Sequence, residues 1–379
     1  MEQIQMKKNI LVVLGYPLQE QIDIGHLDIL ETMFKAQLQI FNEVHIYSPR
    51  DNREYYLGKN IFVHTSKNKN LPRLLSMLLD VYYAYLLTKK YNISVVRAMA
   101  PHTSGVIAYF IKKLTGVPYI CSAHMDRKTV EKIENSKYRM LGWLLDLLER
   151  KVYENSVVIP VISHHVKKYV LSIAPRVGSK IVMHRNFVDT ELFKPKKTNK
   201  KNTFIFVGRL EKSKGAEYLI KAAKILANKG HKFKIMICGD GTERRSLEYL
   251  VKNERLQKMV KFKGYVKHSE LPIYLNRSLA LVVPLLGGFT IIEGMSCGLP
   301  IVAADIEWSS EIIKNNVNGF IVPAKDPTAL ANAMERIIKN KKLVRKIGKI
   351  NRKIAIQEFS KRAWIEREIG LYKLMTTNP

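Results

Sequence analysis

The sequence predicts an α/β chain of two doubly wound, Rossmann-like domains facing each other across a cleft. Three observations carry that expectation. Short β-branched runs alternate with longer amphipathic ones through the first half, and the alternation begins again in the second. A polar, lysine-rich stretch separates the halves. At 379 residues the chain is long for one ordinary domain and comfortable for two.

In chain order, NILVVL (9–14) reads as a first buried strand, followed by a helical pattern over 26–39. EVHIYS (43–48) is the next strand, and the most apolar helix pattern runs over 71–89. ISVVRA (93–98), a helix over 104–115, PYICSA (118–123), a helix over 138–153 and SVVIPVIS (156–163) complete the first half. Such βαβ repeats build a parallel sheet buried on both faces. MHRNFVDTELFKP (183–195) reads as a tight turn built by Asn186 and Asp189. KPKKTNKKN (194–202) has linker composition, so the domains are expected at 1–193 and 203–359. In the second half TFIFVG (203–208), FKIMIC (233–238), MVKFKG (259–264), LALVVP (279–284) and PIVAA (300–304) read as strands. Ala216, Leu219, Ile220, Ala223, Leu226 and Ala227 mark one helix face, stopped by Gly230. Ligands of doubly wound domains bind beyond the carboxyl ends of the strands, which makes the cleft the expected site.

A 46% hydrophobic and 25% charged composition is that of a soluble globular protein. Cys121, Cys238 and Cys297, widely spaced and odd in number, make neither a disulfide framework nor a zinc pattern. They read as small buried hydrophobes in a reducing compartment. The apolar run Ile10 to Leu14 is too short for a signal peptide, and no apolar run reaches the roughly 18 residues of a membrane span. A cytoplasmic location is expected. The net charge of +30 divides into +13 over residues 1–200 and +17 over 201–379, which argues against one nucleic-acid-binding tail. A lysine-biased composition explains it first, attraction to anionic lipid second and nucleic acid last.

Four stretches carry chemistry. FVGRLEKSKGAEYLIKA turns at Gly208 and enters a helix near Gly215, which sets Arg209 and Lys214 at a strand's carboxyl end beside a helix N-terminus. Amide donors, a helix dipole and two cations suit a diphosphate, although a solvated turn would look the same. Gly239 and Gly241 of ICGDGTERRSLE read as the shapers of a tight βα turn. His124 ends PYICSAHMD, where a catalytic or sugar-orienting role and a structural one are both open. The other histidines, the His164–His165 pair included, read as structural or surface residues. In PLLGGFTIIEGMSCGLP, Glu293 reads as a carboxylate in a helix's first turn, there either to compensate the dipole or to hold a vicinal diol such as a ribose. The small Gly294, Ser296, Cys297 and Gly298 read as room for another group to approach the backbone.

Taken in order, these segments resemble the retaining glycosyltransferases of family 4, the glycogen-synthase-like group with the two-domain GT-B fold. The resemblance is loose over the first ninety residues or so. It is strong from VVRAMAPHTSGVIAYFIKKLTGVPYICSAHMD onward, through VISHHVK, RNFVDTELFKP, KFKGYVKHSELPIYL, EIIKNNVNGFIV and DPTALANAM. It implies transfer of a hexose from a UDP- or GDP-linked donor to a glycan or lipid-linked acceptor in cell-envelope polysaccharide or glycoconjugate synthesis. Gly208, Arg209 and Lys214 would take the diphosphate, the backbone of Gly264, Tyr265 and Val266 the base, Glu293 the ribose, and His124 the donor sugar. The terminal helix, 360–379, would return to the first domain.

The family carries two glutamates eight positions apart, and here the sequence departs. Counting back from Glu293 gives Leu285, realigning with a gap gives Gly288, and no acid lies between Glu270 and Glu293. Backbone amides of the Gly287, Gly288, Phe289, Thr290 turn would stand in. No Asp-x-Asp pair is present, so transfer without a metal or other cofactor is expected, Arg209 and Lys214 stabilising the leaving group. LPRLLSMLLDVYYAYLLTKK (71–90) is read first as a Rossmann helix with basic ends, and second as an interfacial helix on anionic lipid. Two other readings stay open: a transferase-like sugar-nucleotide-binding protein with weak or lost catalysis, and a nucleotide-sugar epimerase on the same fold.

Overall fold

The computed structural model describes residues 8–23, 27–51, 53, 55–66, 71–134, 142–198 and 202–377. Residues 138–141 of one expected helix and 199–201 of the expected linker lie outside them. The chain divides into two compact units, the first made of residues 1–126, 137–185 and 364–379, the second of 127–136 and 186–363.

The first unit carries β1 (Asn9–Val13), β2 (Val44–Ser48), β3 (Ile61–Thr65), β4 (Ile93–Ala98) and β5 (Tyr119–Cys121) in one parallel sheet, ordered β3-β2-β1-β4-β5. β6 (Ile159–Val161) and β7 (Ile181–Met183) pair beside it, bridged to β5 at Ala123–Val161. Its helices are α1 (Leu18–Asp23), α2 (Leu27–Gln37), α3 (Arg73–Lys90), α4 (Thr103–Thr115), α6 (Gly142–Asn155) and α7 (His164–Ile173), while α5 (Arg127–Glu134) belongs to the second unit. Leu11 and Val13 of β1, Val96 and Ala98 of β4 and Tyr119 and Cys121 of β5 turn to one face, where α3, α4 and α6 close the core.

α3 packs on the sheet as the expected Rossmann helix does, with Ala84, Met77, Val81 and Leu87 against the core and Lys89 and Lys90 in its last turn. It turns Ser76, Asp80, Ala84 and Thr88 inward and leaves Leu75, Leu78, Tyr82 and Leu86 exposed. Burying a carboxylate is tolerable only with partners, and Asp80 accepts from Tyr47 of β2 at 2.7 Å and from Ser76 at 3.5 Å. Thr88 bonds back to the Ala84 carbonyl at 2.7 Å. The polar groups on the inner face are thereby satisfied.

The second unit holds β8 (Thr203–Val207), β9 (Lys234–Cys238), β10 (Val260–Gly264), β11 (Ala280–Val283), β12 (Ile301–Ala304) and β13 (Gly319–Val322), all parallel, in the order β10-β9-β8-β11-β12-β13. Around them lie α8 (Ala216–Asn228), α9 (Arg244–Asn253), α10 (Leu271–Arg277), α11 (Phe289–Ser296), α12 (Ser309–Ile312), α13 (Pro327–Lys339), α14 (Lys341–Phe359) and the start of α15 (Lys361–Thr377). Caps fix several starts: Asp326 accepts from the Ala329 amide at 2.9 Å and Asn340 from Leu343 at 2.9 Å, each contributing about 1 kcal/mol. Asp189 builds a turn as expected, accepting from the amides of Glu191 and Leu192 at 2.9 and 3.0 Å. The polar stretch after it is held to the second unit: Asn276 accepts from the Lys196 amide at 2.8 Å and donates to the Lys194 carbonyl at 3.0 Å.

Candidate functional site

In the second sheet the chain winds outward from β8 through β9 to β10, then returns to β11 beside β8 and winds the other way. At such a switch point the loops leaving neighbouring strands diverge, and ligands of doubly wound sheets bind there. The loops after β8 and β11 are fastened together at their bases. The Leu286 amide donates to Ser213 O at 3.1 Å, the Lys214 ammonium donates to Leu286 O at 3.1 Å, and the Leu285 side chain fills the space over Gly215. Gly215 has φ +68° and caps α8, so the chain turns sharply there and presents the first amides of α8. Arg209 stands largely in solvent and pairs with Glu211 at 2.9 Å. An exposed pair of this kind holds weakly, which leaves the guanidinium free to exchange Glu211 for a phosphate.

Gly239 and Gly241 dock loop on loop. A Cβ on Gly239 would overlap Gly208 O, and one on Gly241 would sit 2.6 Å from Leu210 O. The Gly208 and Leu210 amides donate to Cys238 O and Asp240 O at 3.0 and 2.9 Å, and Gly239 N donates to Gly264 O at 2.8 Å. This draws Gly208, Gly239 and Gly264 to one edge, where the Tyr265 ring is exposed and Val266 buried.

On the β11 side, Gly288 caps α11 with φ +59° and Thr290 Oγ1 donates to Gly287 O at 2.7 Å, ordering the Gly-Gly turn before Phe289. Glu293 is the fifth residue of α11, one turn beyond the helix start. The expected first-turn dipole role therefore fails, because the dipole's field falls off within the first turn. Its carboxylate is buried, and Oε1 meets His268 Nε2 at 2.8 Å. The small residues after it make room for protein: a Cβ on Gly294 would come within 2.7 Å of Leu281 on β11, and Gly298 lies against Gly348 of α14.

In the first unit His124 follows β5 at the carboxyl edge of the sheet and is open to solvent. The protein around it, then Arg97 and His184, lower its pKa against the pull of Glu368, an effect its solvent-open position moderates. It is a neutral imidazole at neutral pH. Beneath it Arg97 and Glu368 are both buried, their charges 3.6 Å apart.

The structure brings Gly208, Arg209, Lys214, Gly287, Gly288, Phe289 and Thr290 to the two loops of the switch point, and Gly264, Tyr265 and Val266 to the adjoining edge. Sequence reading missed His268, whose only signal is its place in KFKGYVKHSE, and Arg97, a lone cation inside a buried strand. Of the paired histidines, His165 contacts Asp126 at 3.1 Å. Among the described residues, no group of three or more His, Cys, Asp or Glu could hold a metal ion.

The comparisons with known proteins follow this geometry. Residues 35–192 match the model of the family "Glycosyltransferase Family 4" and residues 187–354 that of "Glycosyl transferases group 1". The chain is 22% identical to an alpha-D-kanosaminyltransferase of Streptomyces kanamyceticus over 70% of its own length and 72% of that protein's. It is 26% identical to an Escherichia coli UDP-Gal:alpha-D-GlcNAc-diphosphoundecaprenol alpha-1,3-galactosyltransferase, over 68% and 70%. In fold it is similar to sucrose-phosphate synthase of Thermosynechococcus elongatus, with a TM-score of 0.85, 18% identity, and 98% of this chain and 100% of that one covered.

Proposed function

Since the chain is a GT-B-fold glycosyltransferase related to the group 1 and family 4 enzymes, moving a sugar from a nucleotide-sugar donor to an acceptor, we propose that its sugar is a hexose. The hexose passes from a UDP- or GDP-linked donor to a glycan or lipid-linked acceptor of cell-envelope polysaccharide or glycoconjugate, with retention of configuration. The observation that supports this reading is the fastening of the β8 and β11 loops through Lys214, Ser213 and Leu286, which holds Lys214 beside the start of α8. The donor diphosphate binds there. Arg209 leaves Glu211 for the phosphate, and Lys214 is already oriented by Leu286 O.

As the bond from the anomeric carbon to the phosphate oxygen breaks, negative charge grows on that oxygen, and Arg209, Lys214 and the α8 amides stabilise it without a metal. The departing phosphate takes the acceptor's proton from the same face. Glu293, one oxygen held by His268, offers the other to a ribose hydroxyl. The Gly264–Val266 backbone meets the base, the Gly287–Thr290 turn faces the sugar and phosphate, and neutral His124 serves as a hydrogen-bonding partner for the donor sugar. The enzyme works in the cytoplasm, on the inner face of the membrane, where a lipid-linked acceptor would lie. Among the described residues no helix is long and apolar enough to cross a membrane.

Thermal shift with UDP, GDP, ADP and their sugar conjugates, run in EDTA, tests the donor site. One nucleotide should raise the melting temperature of the wild type, by mass action, and fail to raise that of Arg209→Ala. If no nucleotide shifts the wild type, or the variant responds equally, the diphosphate site is not where we place it. Donor binding without turnover would favour the second reading, a sugar-nucleotide-binding protein, which the lack of any acid between Glu270 and Glu293 supports.

A further inference from the structure

α14 is charged on one side and with one sign. Its inner face, with Val344, Ile347, Gly348 and Ala355, packs on α11 and α13. Its outer face exposes Lys341, Lys342, Arg345, Lys346, Lys349 and Lys353, and the one acid of the helix, Glu358, lies beyond the last of them. Elsewhere on this unit surface lysines meet acids: Lys221 pairs with Glu217, Lys224 with Glu254 and Lys229 with Glu335. Among the described residues no carboxylate pairs with any of the six cations of α14. Lys341, Arg345, Lys349 and Lys353 follow one another at i,i+4, a spacing at which like charges weaken a helix. Lys341 and Lys342 stand in the first turn, against the helix dipole. The helix therefore holds this charge in spite of its own stability.

We propose that this stripe binds an acidic glycan chain, a polysaccharide whose repeating sugars bear a carboxylate or phosphate, and tethers it to the second unit. Cations recurring about every 6 Å along roughly 18 Å of helix suit a linear chain with charge on each sugar better than a compact anion. Arg345 can take a carboxylate through two parallel hydrogen bonds, and the lysines supply point charges beside it. What the stripe lacks narrows the partner. Between Lys341 and Lys353 every exposed residue is basic. No exposed leucine or aromatic stands there to enter a bilayer, to stack on a nucleobase or to form the apolar centre of a protein interface. A second copy would bring the same cations and be repelled. The inference rests on the glycan-acceptor reading above, but it uses no donor-site residue.

Binding of the full chain to immobilised polygalacturonate, which carries one carboxylate per sugar, tests it, with neutral dextran as the blank. The wild type should bind polygalacturonate alone, and less as salt rises. Changing Lys341, Arg345, Lys349 and Lys353 together to Gln should weaken binding about ten-fold. That variant should melt no lower than the wild type, because like-charge i,i+4 pairs are removed. A control with Lys232, Lys252, Lys258 and Lys261 changed to Gln removes as much exposed charge from the same unit and should bind as the wild type does. Equal loss in the control, wild-type binding by the stripe variant, or equal binding to dextran would overturn the proposal. So would tighter binding to polyuridylate or to phosphatidylglycerol vesicles, since a nucleic acid or a membrane would then be the occupant. Nucleotide thermal shift on the same proteins keeps the two readings apart. A wild type that responds to a nucleotide but ignores polygalacturonate defeats the stripe alone, and the reverse defeats the donor site alone.

Discussion

Leu285 shows what one side chain decides. It is 1% exposed, and its Cγ and Cδ1 lie 2.6 and 2.9 Å from where a Cβ on Gly215 would be. Its side chain is part of the core at the base of two loops, and the glycine opposite is as necessary as the leucine. Placing a glutamate there would therefore not add an acid to the sugar pocket. We expect Leu285→Glu to lose about 3–5 kcal/mol of stability, from lost apolar burial and an unpaired buried carboxylate. Denaturant unfolding checks this, and a variant as stable as the wild type would mean that the side chain can turn outward to the ligand. Glu293 teaches the converse. Its acid was legible in the sequence, but its partner His268 lies 25 residues away, and only the return of the chain through α10 and β11 brings the two within 2.8 Å.

At the scale of elements, close helix packing runs against helix propensity. Gly348 lies inside α14, where alanine would ordinarily gain up to about 1 kcal/mol. A Cβ there, however, would overlap the backbone oxygen of Gly298, at the C-terminal end of α11. The contact is braced on both sides: Asn351 donates to Leu299 O and Asn318 O, each at 2.7 Å, and Arg352 donates to Ser296 O at 3.1 Å. We expect packing to win, with Gly348→Ala destabilising by about 1–3 kcal/mol; a stabilised variant in a urea melt would contradict that. The central strands were legible because two-sided burial leaves unbroken β-branched runs. β3 was not, since IFVHT sits at a sheet edge with four of its five residues partly or fully open to solvent. β7 was missed for the same reason, all three of its residues being partly open to solvent, and β13 lies at the far edge of the second sheet. The outward face of α3 was hidden for another reason. Periodicity reveals that leucines form a stripe, whereas the inward packing of Ala84, Met77, Val81 and Leu87 and the Tyr47–Asp80 hydrogen bond set which side faces out.

For the whole molecule the telling element is α15, because the chain leaves the first unit after Arg185 and re-enters it at Trp364. The re-entering segment finishes that unit's core with Trp364, Leu371 and Tyr372, and it brings in one acid, Glu368, with no solvent exposure. Glu368 accepts from Tyr372 at 2.9 Å and Gln37 at 3.3 Å, and stands 2.9 Å from His184 and 3.6 Å from Arg97. Burial alone would raise its pKa, but Arg97, His184 and Tyr372 outweigh burial and hold it at about 2, below the ordinary 4.5. A depressed carboxylate contributes stability that is complete above its unfolded pKa and is lost as pH falls through the folded one. The window is therefore pH 4.5 down to 2, and the shift corresponds to about 3 kcal/mol. Protonating Glu368 leaves the buried Arg97 guanidinium without its counter-charge. Trp364 packs edge-on against His184, ring centres 5.1 Å apart, and its fluorescence reports on this junction. Acid titration of that signal should show the wild type losing the packed state steeply in this window, with Glu368→Gln already weakened at neutral pH and nearly flat below it. Parallel profiles for the two proteins would mean that the ion pair does not hold the returning helix, and that the apolar contacts of Leu371 and Tyr372 suffice.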